Sequence, residues 1–481
     1  MSFGPVLHIL GLLLSLLAAA MVIPALVDLY FGNPDWIAFI GAAAITSFFG
    51  IGLMLSTRRQ DTTMELRQAF LLTNAAWLSI GVFGSLPFLL ANTGMGITDA
   101  VFEAISGITT TGSTVIPLLE AMSPGLLAWR ALLQWLGGIG IIVMALAVLP
   151  MLSVGGMQLF RAETFDTPEK VVPRAAQLAG GISLVYTLLT ALWAVSLYLA
   201  GLGGFDAVTH AMTTLATGGF STRTASIGAF DNATVECLVI LGMIVGSLPF
   251  AHYLALTRGG WRALRQDPQV RWFLMLLLGV ILVIAWQLSS RLEMSGLTAL
   301  RLASFNTVSI MTGTGYGTAD FSAWGGTVTV LLLICMFIGG CAGSTTCGIR
   351  MFRLAVLAST ARVQIARLLK PHSVVVAYYN GRPVPEGVMD AVMGFFYLYI
   401  ICFVIIASLL GITGLDFQTA LSGAATSISN VGPGLGSVIG PSGHFGSLPE
   451  LSKWVLCAGM LLGRLEMFTV LVLLAPGFWR N

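Results

Sequence analysis

Charge is scarce in this chain. Only 9% of its 481 residues are Asp, Glu, Lys or Arg, 56% are hydrophobic, and the mean hydropathy is +0.90. Soluble domains carry roughly a quarter charged residues. A water-soluble fold of this length cannot hide so much apolar surface, so the bilayer is the expected solvent. The net charge of +2 is too small to suggest nucleic acid, and no basic stretch with interleaved aromatics is present. The six cysteines (Cys237, Cys335, Cys341, Cys347, Cys402 and Cys457) form no CxxC or Cys/His pattern. They read as small hydrophobes, without disulfides. HExxH, GxSxG, a nucleotide loop and paired carboxylates at membrane depth are all missing, so no enzymatic activity and no bound cofactor are expected. The N-terminus lacks a basic n-region and its apolar run is too long for a signal sequence, so it reads as a first span.

What is present is a series of apolar stretches of the length that crosses a bilayer, about 20 residues. They lie near 5–29, 36–56, 69–91, 127–150, 179–202, 234–257, 272–290, 326–348, 387–411 and 453–477, which makes ten. Basic residues cluster in alternate connectors: Arg58, Arg59 and Arg67; Arg161, Lys170 and Arg174; Arg258, Arg262, Arg265 and Arg271; and Arg350, Arg353, Arg362, Arg367, Lys370 and Arg382. By the positive-inside rule these face the cytoplasm, and both termini come out on that side. Trp129, Trp135, Trp261 and Trp454 read as interface anchors, and Arg223 and Lys453 as solvated.

The other side carries four similar short segments, each half apolar and half Thr, Ser or Gly. They read TDAVFEAISGITTTGST from Thr98, FDAVTHAMTTLATGGFST from Phe205, TALRLASFNTVSIMTGTGYGTADF from Thr298 and DFQTALSGAATSISNVGPGLG from Asp416. Asp99, Asp206, Thr298 and Asp416 suit helix N-caps. Each segment ends at a glycine in a polar setting: Gly112, Gly218, Gly315 or Gly432. The pattern predicts an all-α membrane protein with four pseudo-symmetric units of span, pore helix and span around one central pore. Two extra N-terminal helices (1–66) precede the units, which cover 67–177, 178–270, 271–385 and 386–481.

Non-helical backbone at membrane depth is tolerated only where protein buries it or it lines a watery cavity. Glycine lets such backbone turn its carbonyls inward, and a ring of carbonyl oxygens can replace the hydration shell of an alkali cation. The half-helices would add the negative ends of their dipoles. No carboxylate lies beside the glycines, which disfavours a dedicated calcium or magnesium site. The bland alternative is that Gly and Thr only mediate helix packing. Thr110, Thr111, Gly112, Thr217, Gly218, Thr314, Gly315, Asn430, Val431 and Gly432 are therefore the candidate filter, with potassium held by the carbonyls of Thr111, Thr217, Thr314 and Val431. Glu103 and His210, inside the half-helices, read as structural.

Two features lie below this filter. The eighth span turns into glycine, serine, threonine and cysteine over 339–348, where a helix is weak. Gly339, Gly340, Gly343, Ser344, Thr345, Thr346 and Gly348 are candidates for a flexible gate, against the alternative of a kink at a helix crossing. Arg464 falls near the middle of the tenth span, where a charge is costly and suggests function. It is expected to bond carbonyls of 339–348 and repel cations, and Glu466, two residues on, points elsewhere. The alternative is a structural arginine paired with Glu466 or another helix.

These residues carry a family resemblance. GGIGIIVMALAVLPMLSVGGMQLFR from Gly137, followed by Ala162-Glu163-Thr164, is similar to a signature of the TrkH branch of the Trk/Ktr/HKT potassium transporters. ATGGFSTRTASIGAF, GTGYGTADF, SNVGPGLG and GGCAGSTTCGIR resemble its second, third and fourth loops and its intramembrane gate. The resemblance implies one filter glycine per repeat, on Gly112, Gly218, Gly315 and Gly432, and a last-span arginine on Arg464. It also implies a homodimer in the bacterial inner membrane and a cytoplasmic partner ring that binds NAD(H), ATP or ADP through its own domains. Gly313 and Gly317 depart from the usual Thr or Ser and Ala or Ser, and Thr346 and Cys347 are bulkier than the glycine-rich gate pattern. The function implied is potassium uptake, as a channel or as a proton- or sodium-coupled symporter. An ion-coupled transporter of an organic solute would predict inverted repeats and charged midplane residues, whereas these repeats run parallel.

Overall fold

The computed structural model describes residues 3–58, 65–144, 156, 171–256, 261–370, 372 and 375–480. Among the described residues, seven helices are long and apolar enough to cross a membrane, or nine if each of two bent pairs is one span. The shorter apolar helix Gly326–Phe337 accounts for the remaining expected stretch, the eighth. Arg59, Arg161, Lys170, Arg258 and the stretches 145–155 and 157–170 lie outside the described residues, as do the side chains of Arg174, Trp261 and Arg262.

Three expected spans are not continuous helices. The sixth is Ala233–Gly246 followed by Phe250–Leu256, at 95° to each other. Pro249 explains the break: it has no N–H for the ladder and disfavours helix in the residue before it. The eighth stops at Phe337 and gives way to non-helical backbone. The tenth is Glu450–Arg464 followed by Met467–Leu474, bent by 112°. Glu466 takes a left-handed φ of 60° at that corner. Arg464 therefore ends a helix rather than sitting mid-helix, and the negative end of the helix dipole favours its charge.

The two N-terminal spans, Gly4–Phe31 and Trp36–Ser56, cross closely through small residues. A Cβ on Gly11 would lie 2.6 Å from the Gly50 carbonyl oxygen. The hairpin is tied to the rest by Asp28, which is buried and accepts from the Gly125 N–H at 2.6 Å and the Ser123 hydroxyl at 3.3 Å. Asp28 thus serves the helix N-terminus at Pro124 from a distant part of the chain. Trp129 and Trp135 are not interface anchors. Trp129 is buried and donates to the Gly84 carbonyl, and Trp135 donates to Thr190 Oγ1. Trp454 is exposed.

Four short helices, Ile97–Ile108, Gly204–Leu215, Gly296–Met311 and Phe417–Ser429, each follow a span. Their N-caps are Gly96, Gly203, Ser295 and Asp416. Asp99, Asp206 and Thr298 sit three residues inside, so of the expected caps only Asp416 holds that position. Carboxylates in a first turn still complement the dipole. The spans leave apolar faces open: the window within Gly387–Ile412 is only 28% buried. The first short helix differs, since every residue from Ala100 to Ile108 is buried. The spans therefore enclose the C-terminal turns of the short helices, while Leu297, Leu300 and Phe417 near their N-termini stay exposed. One non-helical pair occurs in the 349–385 connector, where Tyr378–Tyr379 pairs with Arg382–Pro383 after the helix Met351–Leu369.

Candidate functional site

Each short helix ends in the same sharp turn. Thr111, Gly218 and Thr314 donate backbone N–H bonds to Ser106, Thr213 and Ser309, and Val431 to Thr426. Two left-handed residues flank that position in every loop: Thr110 and Gly112, Thr217 and Gly219, Gly313 and Gly315, Asn430 and Gly432. The four loops are thus one backbone motif repeated. Gly313 takes the same left-handed turn as Thr110, Thr217 and Asn430, and glycine does so without Cβ strain.

This pattern shifts the second loop by one residue from the sequence expectation. Gly219, not Gly218, is the left-handed glycine in register with Gly112, Gly315 and Gly432. Likewise the carbonyl in register with Thr111, Thr314 and Val431 belongs to Gly218 rather than Thr217. ATGGFST carries two adjacent glycines, and only backbone geometry distinguishes them.

The loops close on one another. A Cβ on Gly112 would lie 2.2 Å from the Gly218 carbonyl oxygen, and one on Gly219 would lie 1.8 Å from that of Thr314. One on Gly315 would meet the Val431 oxygen at 2.1 Å, and one on Gly432 the Thr111 oxygen at 2.8 Å. Each missing side chain makes room for the carbonyl of the next loop, in the cyclic order first, second, third, fourth, first. Side-chain bonds tie the ring: Ser113 Oγ donates to the Gly432 carbonyl at 2.6 Å, and Asn430 Nδ2 to Thr111 Oγ1 at 2.8 Å.

Inner spans support the ring with glycines of their own. A Cβ on Gly137 would reach the Ile108 oxygen at 2.0 Å, one on Gly246 the Leu215 oxygen at 2.8 Å, and one on Gly463 the Ile428 oxygen at 2.1 Å. Ile108, Leu215 and Ile428 each precede the ring glycine by four residues, so this contact recurs in three of the four units.

Behind the ring, the buried Glu103 and Arg130 form an ion pair at 2.7 Å. Glu103 also accepts from Thr114 Oγ1 and the Val115 N–H, while Arg130 donates to the Ser221 carbonyl and lies over the Phe220 ring. The pair joins the first loop to the second. His210 is likewise enclosed, with Nδ1 at 2.7 Å from the Asp206 carbonyl oxygen and Nε2 at 2.9 Å from Ser221 Oγ. Arg223, half-exposed, pairs with Asp206. Lys453 is buried rather than solvated, and its Nζ lies 2.6 Å from Asp99.

The segment 339–348 is a buried loop folded onto the bend of the sixth span. Cys341 and Thr345 donate N–H bonds to the carbonyls of Ser247 and Gly246, and Phe250 donates to that of Gly343. Gly343 and Gly348 are left-handed, and a Cβ on Gly339 would overlap the Cys347 oxygen at 1.8 Å. Gly340 N donates to Thr346 Oγ1, which also bonds Ser344 Oγ. Arg464 reaches into this loop. Its guanidinium donates to the Thr345 carbonyl at 3.0 Å and the Gly137 carbonyl at 2.8 Å, and lies 2.8 Å from Cys347 Sγ. None of these partners is a carboxylate. Glu466 instead pairs with Arg353 and, at 3.4 Å, with Arg350.

Sequence reading passed over Gln134, Arg130 and the supporting glycines. Their signal was present: Arg130 and Gln134 stand four residues apart in an apolar span, which marks one polar face, and Gly137 follows three residues on along the same face. No group of three or more His, Cys, Asp or Glu that could hold a metal ion occurs among the described residues.

The sequence profile of the TrkH family, described as cation transport proteins, matches residues 37–480. The chain belongs to the TrkH family. It is 44% identical to the Trk system potassium uptake protein TrkI of Halomonas elongata, over 100% of this chain and 97% of that protein. It is 37% identical to the Trk system potassium uptake protein TrkH of Escherichia coli K12, over the full length of both. The crystal structure of the potassium transporter TrkH from Vibrio parahaemolyticus superposes with a TM-score of 0.92 at 37% identity, covering 100% of each chain. Membership in this family of transport proteins agrees with the expectation that the chain is not an enzyme.

Proposed function

We propose that this TrkH-family protein takes up potassium across the bacterial inner membrane through the four-loop carbonyl ring. The observation that carries the reading is the cyclic contact in which each ring glycine leaves space for the next loop's carbonyl oxygen. Backbone oxygens held this way by rigid neighbours can substitute for water around a monovalent cation. The filter is Thr110–Gly112, Thr217–Gly219, Gly313–Gly315 and Asn430–Gly432, with the ion at the oxygens of Thr111, Gly218, Thr314 and Val431.

Loop 339–348 and Arg464 form the gate on the cytoplasmic side. The Arg464 charge meets carbonyls and a thiol instead of a carboxylate, so it presents a cation barrier to the pore axis. Opening requires Arg464 to leave Thr345 and Gly137 together. The chain works as a homodimer within a Trk system, its basic connectors facing the cytoplasm and a nucleotide-binding ring. The names borne by relatives and the fourfold loop motif both support potassium as the cargo.

The test is rubidium uptake by purified protein in liposomes. Gly219→Asp is expected to abolish uptake and Arg464→Ala to increase it. Uptake unchanged in Gly219→Asp would refute the filter assignment.

A further inference from the structure

The ring has one member unlike the other three. Three ring oxygens belong to residues with a side chain, Thr111, Thr314 and Val431, and the fourth belongs to Gly218. The reason is Gln134, buried in the inner span Pro124–Val143. A Cβ on Gly218 would lie 2.4 Å from Gln134 Cδ and Oε1, so the amide fills the space a side chain would take. Gln134 holds the loop at two points. Its Nε2 donates to the Gly218 carbonyl at 2.6 Å, and its Oε1 accepts from the Phe220 N–H at 3.0 Å. A backbone acceptor on one side and a backbone donor on the other fix which way the amide faces.

Consequently the Gly218 oxygen faces two claims. It fills the gap beside Gly112, as its three counterparts fill theirs, and it accepts a hydrogen bond from a side chain. Among the described residues, no bond of this kind reaches the oxygens of Thr111, Thr314 or Val431. A carbonyl that already accepts a short bond is held at a fixed distance and gives part of its lone-pair density to the amide. Such an oxygen cannot move inward toward a smaller cation as freely as the other three.

We propose that Gln134 is a positioning residue for ion selectivity: it pins the Gly218 carbonyl and the Phe220 N–H so that the second corner of the ring resists collapse around sodium. This rests on the carbonyl-ring reading above and adds a side chain that sets the ring's size. Gln134 touches the ring from behind and does not coordinate the ion.

Two variants separate the bonds from the packing. Gln134→Met keeps the length of the side chain and removes both bonds. Gln134→Glu keeps the acceptor for Phe220 and, with its carboxyl ionised, removes the donor to Gly218. The readout is the potassium-to-sodium permeability ratio, from reversal potentials of the full-length protein in planar bilayers under bi-ionic conditions. A role in stability alone would change the amount of folded protein but not this ratio. Both variants are expected to lower it by about two- to tenfold, the range that a net hydrogen-bond contribution spans. An unchanged ratio in both, in folded and conducting protein, would overturn the proposal. Gly315→Ser in parallel keeps the two readings distinct. A changed ratio there with unchanged Gln134 variants removes only the role of Gln134, whereas no change in any of the three removes the filter.

Discussion

Thr217, in the second ring loop, donates its hydroxyl to Thr345 Oγ1 in the intramembrane loop at 3.0 Å. The same Thr345 hydroxyl lies 2.9 Å from the Gly246 oxygen and 3.1 Å from the Leu215 oxygen, at the end of the second short helix. Its carbonyl accepts from Arg464. One residue thus touches a ring loop, the support beneath that loop, the bent sixth span and the arginine. The second ring loop and the intramembrane loop thus share a side-chain contact, and under the filter-and-gate proposal displacement of the intramembrane loop pulls directly on the second corner of the ring.

Thr345→Val tests this link, because it keeps the shape and removes the hydroxyl. The Leu215 oxygen loses a bond in a buried place, at a cost of about 1–3 kcal/mol. A lower melting temperature in detergent is expected, together with higher rubidium flux, since the closed loop loses more bonds than an open one. A drop in melting temperature with unaltered flux would leave Thr345 as packing only.

The register of the second loop is tested by rescue. Gly218→Ala puts a Cβ against the side chain of Gln134, while Gly219→Ala puts one against the backbone oxygen of Thr314. Flexible side chains can be trimmed and backbone cannot. Gln134→Ala is therefore expected to restore folding and flux to Gly218→Ala but not to Gly219→Ala. Equal rescue of both would mean that the second corner has been read in the wrong register.

Much of this organisation was legible in the sequence, because its physical causes are local. Apolar runs of span length, basic connectors and the four Thr/Ser/Gly endings each arise from neighbouring residues. The parts that escaped depend on distant ones. Nothing near Gly218 reveals that Gln134 occupies its Cβ position, so adjacent glycines could not be ranked. Lys453 reads as solvated until Asp99 is seen beside it, and Trp129 as an anchor until its N–H is found on Gly84. Arg464 was visible as a charge in an apolar run, and its bond to 339–348 was expected. The corner at Glu466 was not, because the residue that takes the left-handed turn is neither proline nor glycine, and the nearby Gly463 lies within the helix.

The Glu103–Arg130 pair makes a third prediction. Removing one partner leaves a buried charge without compensation, at about 3–5 kcal/mol, whereas removing both costs far less. Arg130→Met should therefore unfold at a much lower temperature than the Glu103→Gln/Arg130→Met double variant. Additive losses in thermal unfolding would argue that the two side chains act independently.

Arg464 offers a fourth. Lysine keeps the charge but lacks the planar fork that reaches Thr345 and Gly137 at once. Arg464→Lys should conduct between wild type and Arg464→Ala in liposome flux. Lysine equal to alanine would show that the hydrogen bonds matter and the charge does not.

The most direct measurement is the position of a heavy alkali cation in the pore. Crystals grown in rubidium should give an anomalous peak on the axis of the ring, among the oxygens of Thr111, Gly218, Thr314 and Val431. A ring without the peak, with rubidium held elsewhere by side-chain oxygens, would contradict the account.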